Sequence, residues 1–401
     1  MKRISASGLF VLLLLVVNLR GIFGYILRYG ESATSPTYQA FPLNWFLLWR
    51  VVVGGLMAII IICKMKKISI HYTTIYLLVL LFSLICIFQT ESFHVQGAAR
   101  CMIMYGLLFL VIVSNESWIK ISHINKSIEF MAAFGLLFLL YQMYQYHYFG
   151  VLPAHSHVNK SIRYGSFYND SLVLGVLLPM FAGYFFNKYQ KPFLLLLTAV
   201  IVCLVAVLTG TMTAMGIVFL YVVWNFRKRY GLLLFFLCAN LVLAIYFIDQ
   251  IKYLWLFKSG SIAGHLEGFS YFKELGAINL AGLSPLNEFT ETGYLLFLYN
   301  FGVPVLLIIL AFHLKVLSVC HAILLKDAPS SQMRAFTGAT EGLTISVLLA
   351  NFNLPPILFP PVYLMVVIFS AIVIKRSANT NFRRNSRIET NLHLVALEKI
   401  V

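Results

Sequence analysis

Apolar residues along this chain gather into runs of about 20, the length that crosses a bilayer as a helix. These runs are parted by short polar breaks. They fall near residues 7–27, 41–63, 70–88, 96–113, 127–149, 166–186, 192–209, 211–225, 231–249, 292–314, 337–353 and 357–374. The pattern predicts an all-α polytopic membrane protein with about twelve spans. The stretch from Pro192 to Trp224 needs an argument, because LTGTMTAMG (Leu208 to Gly216) interrupts it. NKYQK precedes the stretch and NFRKRY follows it. Both flanks are short and basic, so both belong in the cytoplasm. A single crossing cannot place them there; a hairpin with Thr209-Gly210-Thr211 at its tip can. Each arm is short for a full crossing at about 1.5 Å per residue. The turn is therefore expected below the outer surface, where irregular backbone survives only inside protein or beside a water-filled cavity.

The hairpin sets the side of every other loop. Lys2, Arg3, Lys64, Lys66, Lys67, Lys120, Lys126, Lys188, Lys191, Arg227, Lys228, Arg229, Lys315, Lys326, Arg334 and the tail from Lys375 fall inside. Arg28, Arg100, Lys160, Arg163, Lys252, Lys258 and Lys273 fall outside. The organisation read from this has both ends in the cytoplasm. Residues 1–249 form the first nine spans, 250–290 a large outer loop, 291–374 the last three spans and 375–401 a basic tail. The tail's NFRRNSR reads as an anchor on anionic lipid. Long loops in compact proteins are usually functional or disordered. The loop at 250–290 is rich in aromatics and is expected to be a folded cap with a short helix near GHLEGFSYFKEL.

Composition agrees. Hydrophobic residues make up 60% of the chain and charged ones 11%, with mean hydropathy +0.86. A soluble fold cannot hide that much apolar surface. The first helix reads as a retained span, because no small-x-small cleavage site follows it cleanly. All six cysteines lie in apolar runs with no CxxC pair, so they read as small hydrophobes. The net charge of +16 is mostly an orientation signal, and no nucleic-acid partner is expected.

Ionisable groups within spans are expensive and usually functional. Arg20 lies in the outer half of the first span, and Arg50 about 13 Å into the second by helical rise. Arg100 opens the fourth, and Lys160 and Arg163 precede the sixth. This set suits an anion with several oxygens, since guanidinium groups bind phosphate through paired hydrogen bonds. Plain alternatives stay open: snorkelling for Arg20, a buried structural pair for Arg50, an interface role for Arg100. Arg163 breaks the positive-inside pattern and is the strongest candidate. Among outer acids, Asp170 and Glu291 open spans, and Glu288 stands just before Glu291. Each is either a helix cap or a general base. His265 is the only histidine of the large loop. His155 and His157 lack a third ligand, and no metal is expected. YQMYQYHYF (141–149) reads as an interfacial aromatic belt.

The chain has no GxxxxGK[ST], HExxH or GxSxG motif and no cytoplasmic DxD-type pair. An enzyme of this kind would work outside, on a donor already activated. At this point three stretches carry a family resemblance: RYGSFYNDSLVLGVLLP (163–179), the LTGTMTAMG hairpin, and ETGYLLFLYNFGVPVLL (291–307). With the topology, the chain resembles bacterial Wzy-type repeat-unit polymerases of O-antigen, capsule and exopolysaccharide, in the group that includes O-antigen ligases. Ligases typically show a histidine where Glu291 stands, which favours a polymerase.

The resemblance implies a GT-C-like membrane glycosyltransferase of the bacterial inner membrane, working on its periplasmic face. Its substrates would be undecaprenyl-diphosphate-linked glycans. An acceptor hydroxyl attacks the donor's anomeric carbon, and lipid diphosphate leaves. Arg163, Arg100, Arg50, Lys160 and Arg20 would bind the diphosphate, and Glu291, His265, Asp170 or Glu288 would take the proton. No cofactor is implied. Membrane lipids, a chain-length regulator and a flippase are the expected partners. A lipid-linked-oligosaccharide flippase and an O-antigen ligase are the alternatives. The absence of a duplicated half-to-half pattern counts against the flippase.

Overall fold

The structure, a computed structural model, describes residues 6–18, 52–60, 70–114, 119–150, 163–166, 171–227, 229–246, 268–287, 292–325, 330–352, 355–359 and 361–377. Among these residues there is no strand. The helices are α1 (Ala6–Asn18), α2 (52–60), α3 (Ile70–Gln89), α4 (Phe93–Ser114), α5 (Ile121–Phe149), α6 (Ser171–Lys188), α7 (Pro192–Leu208), α8 (Met212–Phe226), α9 (Tyr230–Tyr246), α10 (Ala277–Leu280), α11 (Gly293–Leu324), α12 (Ser331–Ala350) and α13 (361–377). Helices α3, α4, α5, α6 and α11 are long and apolar enough to cross a membrane. The architecture is consistent with a polytopic membrane protein. Each apolar run of the sequence overlaps one helix, with α10 as an extra turn in the large loop.

Two helices distant in sequence form the centre. Helices α6 and α12 lie antiparallel, with Gly183 against Gly338, Pro179 against Gly342, and Val176 against Ser346. The approach is so close that a Cβ at Gly183 would land on the Gly338 carbonyl oxygen, and one at Gly342 on that of Pro179. Ser346 Oγ donates to the Val176 carbonyl at 2.6 Å. On α12, Gly338, Gly342 and Ser346 recur every fourth position, which puts them on one face and lets the backbones meet. Helix α13 is apolar on all sides, and residues 361–374 are all buried, as expected of a helix inside a bundle. Its Phe369 meets Phe336 of α12, and its Tyr363 meets Tyr105 of α4.

The long apolar stretch breaks where expected. Helix α7 ends at Leu208, α8 begins at Met212, and Gly210 has φ +61°. Thr209 and Thr211 are buried, and their hydroxyls lie 3.1 Å apart. Thr209 Oγ1 also donates to the Ala206 carbonyl at 2.6 Å. The irregular backbone is thus enclosed by protein, with its polar groups satisfied locally.

Helix α11 is kinked. Gly302 has φ 74° and ψ 178°, and Pro304 follows with no N–H to give. The kink seats the large loop: Gly282, at φ +78°, abuts the Phe301 carbonyl, and a side chain at Gly302 would strike Gly282. Leu286 N–H donates to the Tyr299 carbonyl at 3.0 Å, and the Tyr299 hydroxyl donates to the Gly268 carbonyl at 2.7 Å. Within this portion, Ser270–Glu274 form a 3-10 turn and Ala277–Leu280 a short helix. Residues 268–287 are therefore a folded piece docked on α11.

Candidate functional site

The segment 163–166 is built into the bundle by contacts from two sides. On one, the Tyr164 N–H donates to the Leu208 carbonyl at 3.1 Å. That carbonyl belongs to the last turn of α7, where helix geometry leaves acceptors without partners. On the other, Gln142 of α5 clamps Ser166. Its Oε1 accepts from the Ser166 N–H at 2.9 Å, and its Nε2 donates to the Ser166 carbonyl at 3.2 Å. Ser166 Oγ donates to the Gly135 carbonyl at 2.5 Å. Ser166 sits at φ 52°, a left-handed conformation costly for a residue with a Cβ. The paired Gln142 bonds and the burial of Tyr164, Gly165 and Ser166 hold it there. Residues 164–166 thus fill the space between α5 and the hairpin tip. The tip in turn leans on α6, where Gly175 leaves room for Thr211 and Ala214.

Arg163 opens this clamped segment and is half-buried. Burial pulls its pKa below the ordinary arginine value, because a desolvated charge is disfavoured. The guanidinium remains charged at any physiological pH. The result is a cation whose adjoining backbone is fixed by α5 and the end of α7. The neighbouring end of α5 carries the aromatic belt. Tyr144 packs against Tyr148 and Phe149, and Gly150 closes the helix at φ 65°, with its N–H on the Tyr146 carbonyl at 3.0 Å. Tyr141, Tyr144 and Tyr148 are exposed.

Arg100 is placed on α4, exposed, with Nη2 donating to Gln96 Oε1 at 2.9 Å one turn back. Gln96 is itself fixed by donating to the Thr90 carbonyl at 2.8 Å. Arg20, Arg50, Lys160, Asp170, His265, Glu288 and Glu291 lie outside the described residues. The start of α11, just after Glu291, is nonetheless firmly held. Tyr294 N–H donates to the Asn351 carbonyl at 3.2 Å, and its hydroxyl to the Leu348 carbonyl at 2.8 Å.

Three buried or half-buried polar features escaped the reading of the sequence. Glu129 of α5 pairs with Lys188 of α6 at 2.9 Å and accepts from the Tyr184 hydroxyl. Glu341 is buried on α12 between Gly338 and Gly342, within electrostatic reach of Tyr221, Cys320 and Arg227. His313 is fully buried on α11, with Nδ1 2.7 Å from the Ile309 carbonyl. A carbonyl only accepts, so Nδ1 carries the proton. Glu341 had a visible signal, an acid inside GATEG in an apolar run. Glu129 and Lys188 had none, since each alone resembles a flanking charge.

No family model matches the chain, and no curated protein matches it.

Proposed function

We propose that this protein is a membrane glycosyltransferase that polymerises undecaprenyl-diphosphate-linked oligosaccharide repeat units into O-antigen, capsule or exopolysaccharide. In this reading it crosses the bacterial inner membrane twelve times with both ends in the cytoplasm, and residues 250–290 form its large periplasmic loop. The growing glycan passes from its lipid diphosphate to a hydroxyl of a new lipid-linked unit. Arg163 holds the leaving diphosphate, with Arg100, Arg50, Lys160 and Arg20 as further cations. Glu291 is the favoured base, ahead of His265, Asp170 and Glu288. The observation that carries the reading is the half-buried cation at Arg163, in a segment held between α5 and the end of α7. A cation held before the anion arrives needs no reorganisation as charge develops on the leaving group, often the largest catalytic term.

A flippase is the second reading, favoured by Glu341. A carboxyl inside a span is typical of proton or ion coupling. Deleting the gene and running the surface glycan on a gel separates the readings. A polymerase loses the ladder and leaves core plus one repeat unit. A ligase accumulates unattached lipid-linked polymer. A flippase leaves undecorated core, with single units held on the cytoplasmic face.

A further inference from the structure

Between α5 and α7 lies an apolar groove with α6 as its floor. It has a volume of ≈ 480 Å³. That is within the range of about 300–1,000 Å³ found for small-molecule sites. Leu174, Leu178 and Phe181 form the floor, and Ala132 and Leu197 stand on opposite walls. Along α5 the groove runs from Glu129 to Leu139. At 1.5 Å per residue this is about 15 Å, half of a hydrocarbon core of about 30 Å. Its length matches that of one leaflet. Its inner end lies beneath Ser166, which closes on the Gly135 carbonyl.

The other end is charged. Glu129 is already occupied by Lys188 and the Tyr184 hydroxyl. Lys126 lies one helical turn before Glu129 and is exposed. Lys191 is exposed in the turn between Tyr189 and Leu194, both of which line the groove. Lys188 pairs with the Glu129 carboxylate, Lys126 lies within electrostatic reach of it, and Lys191 follows in the same turn, so this end of the groove, its mouth, carries more basic than acidic groups. Tyr189, stacked on Phe185 and lying 5.2 Å from the Lys188 ammonium, completes it. Mouth and groove together match one molecule: an apolar chain one leaflet long, joined to an anionic head group.

We propose that this groove binds an anionic glycerophospholipid of the cytoplasmic leaflet. One acyl chain lies along α6, and the phosphate sits among Lys126, Lys188 and Lys191. The site is separate from Arg163 and stands whether the protein polymerises or transports glycans.

The test uses the full-length protein, delipidated in detergent and examined by native mass spectrometry. Phosphatidylglycerol or phosphatidylcholine with the same acyl chains is added. One phosphatidylglycerol should be retained about tenfold more strongly than phosphatidylcholine. Lys126→Glu with Lys191→Glu should remove that preference, since each basic residue near a lipid surface contributes an effect of this order. Ala132→Phe, which fills the groove, should reduce retention of both lipids. A Leu136→Trp reporter at the open edge should be quenched by brominated phosphatidylglycerol, and a plugged groove should abolish the quenching. Equal retention of the two lipids, or a preference that survives the double charge reversal, overturns the proposal. So does displacement of phosphatidylglycerol by a polyprenyl diphosphate that holds the groove alone.

Discussion

Arg163 differs from a typical surface arginine because its backbone is fixed before any ligand arrives. Replacing it with alanine should abolish surface polymer while leaving protein level normal, a loss of about 10²–10³ in rate if it acts on developing charge. Lysine at this position keeps the charge but not the planar fork, and should restore only part of the ladder. A full ladder from Arg163→Ala would remove it from the site. The Glu129–Lys188 pair behaves differently. Its side chains are 39% and 33% exposed, so solvent screens them. A double-mutant cycle of Glu129→Gln and Lys188→Met, read by thermal unfolding in detergent, should give coupling of about 0.2–1 kcal/mol. These residues also mark what a sequence displays at this scale. Arg163 stands out in the sequence because it breaks the positive-inside pattern read from the loops. Glu129 and Lys188, 59 residues apart, each look like ordinary membrane-flank charges until the fold joins them.

At the level of helices, glycine positions divide into those that touch backbone and those that face open space. Gly183→Ala or Gly338→Ala places a methyl group on a backbone or amide atom of the facing helix. Each should destabilise by about 1–3 kcal/mol, the usual cost of overpacking. Gly216, on α8, has nothing within 4 Å of where a Cβ would sit. Gly216→Ala should be neutral or stabilising by up to about 1 kcal/mol through helix propensity. Melting temperatures of the three variants against the parent check both outcomes. Local signals worked here where the cause was local. The break between α7 and α8 was legible because a stretch bearing glycine and threonines interrupts the apolar run. The four-residue spacing of Gly338, Gly342 and Ser346 is equally visible, and so is that of Gly175, Pro179 and Gly183. Their antiparallel pairing is not, because nothing within either segment names its partner. The kink at Gly302 was hidden for a similar reason: its conformation answers to Gly282 in the large loop.

For the whole molecule, the proposed twelve-span arrangement makes a sharp claim about sides. In a cysteine-free background, cysteines introduced at Gln190 and Arg229 should both react with a membrane-impermeant reagent from the cytoplasm. One at Ser156 should react from outside. Labelling of positions 190 and 229 from opposite faces would turn the hairpin into a single crossing and invert every loop after it. The close pairing of α6 with α12 also governs how the protein is made. Val176 and Ser346 are 170 residues apart. At about 5–20 residues per second, ribosomes need roughly 10–30 s to supply the second partner after the first. Throughout that interval the glycine face of α6 has no mate in the nascent chain. Insertion machinery or lipid must shelter it, and chains that stall before Ser331 should be cleared by membrane proteases rather than accumulate as stable fragments.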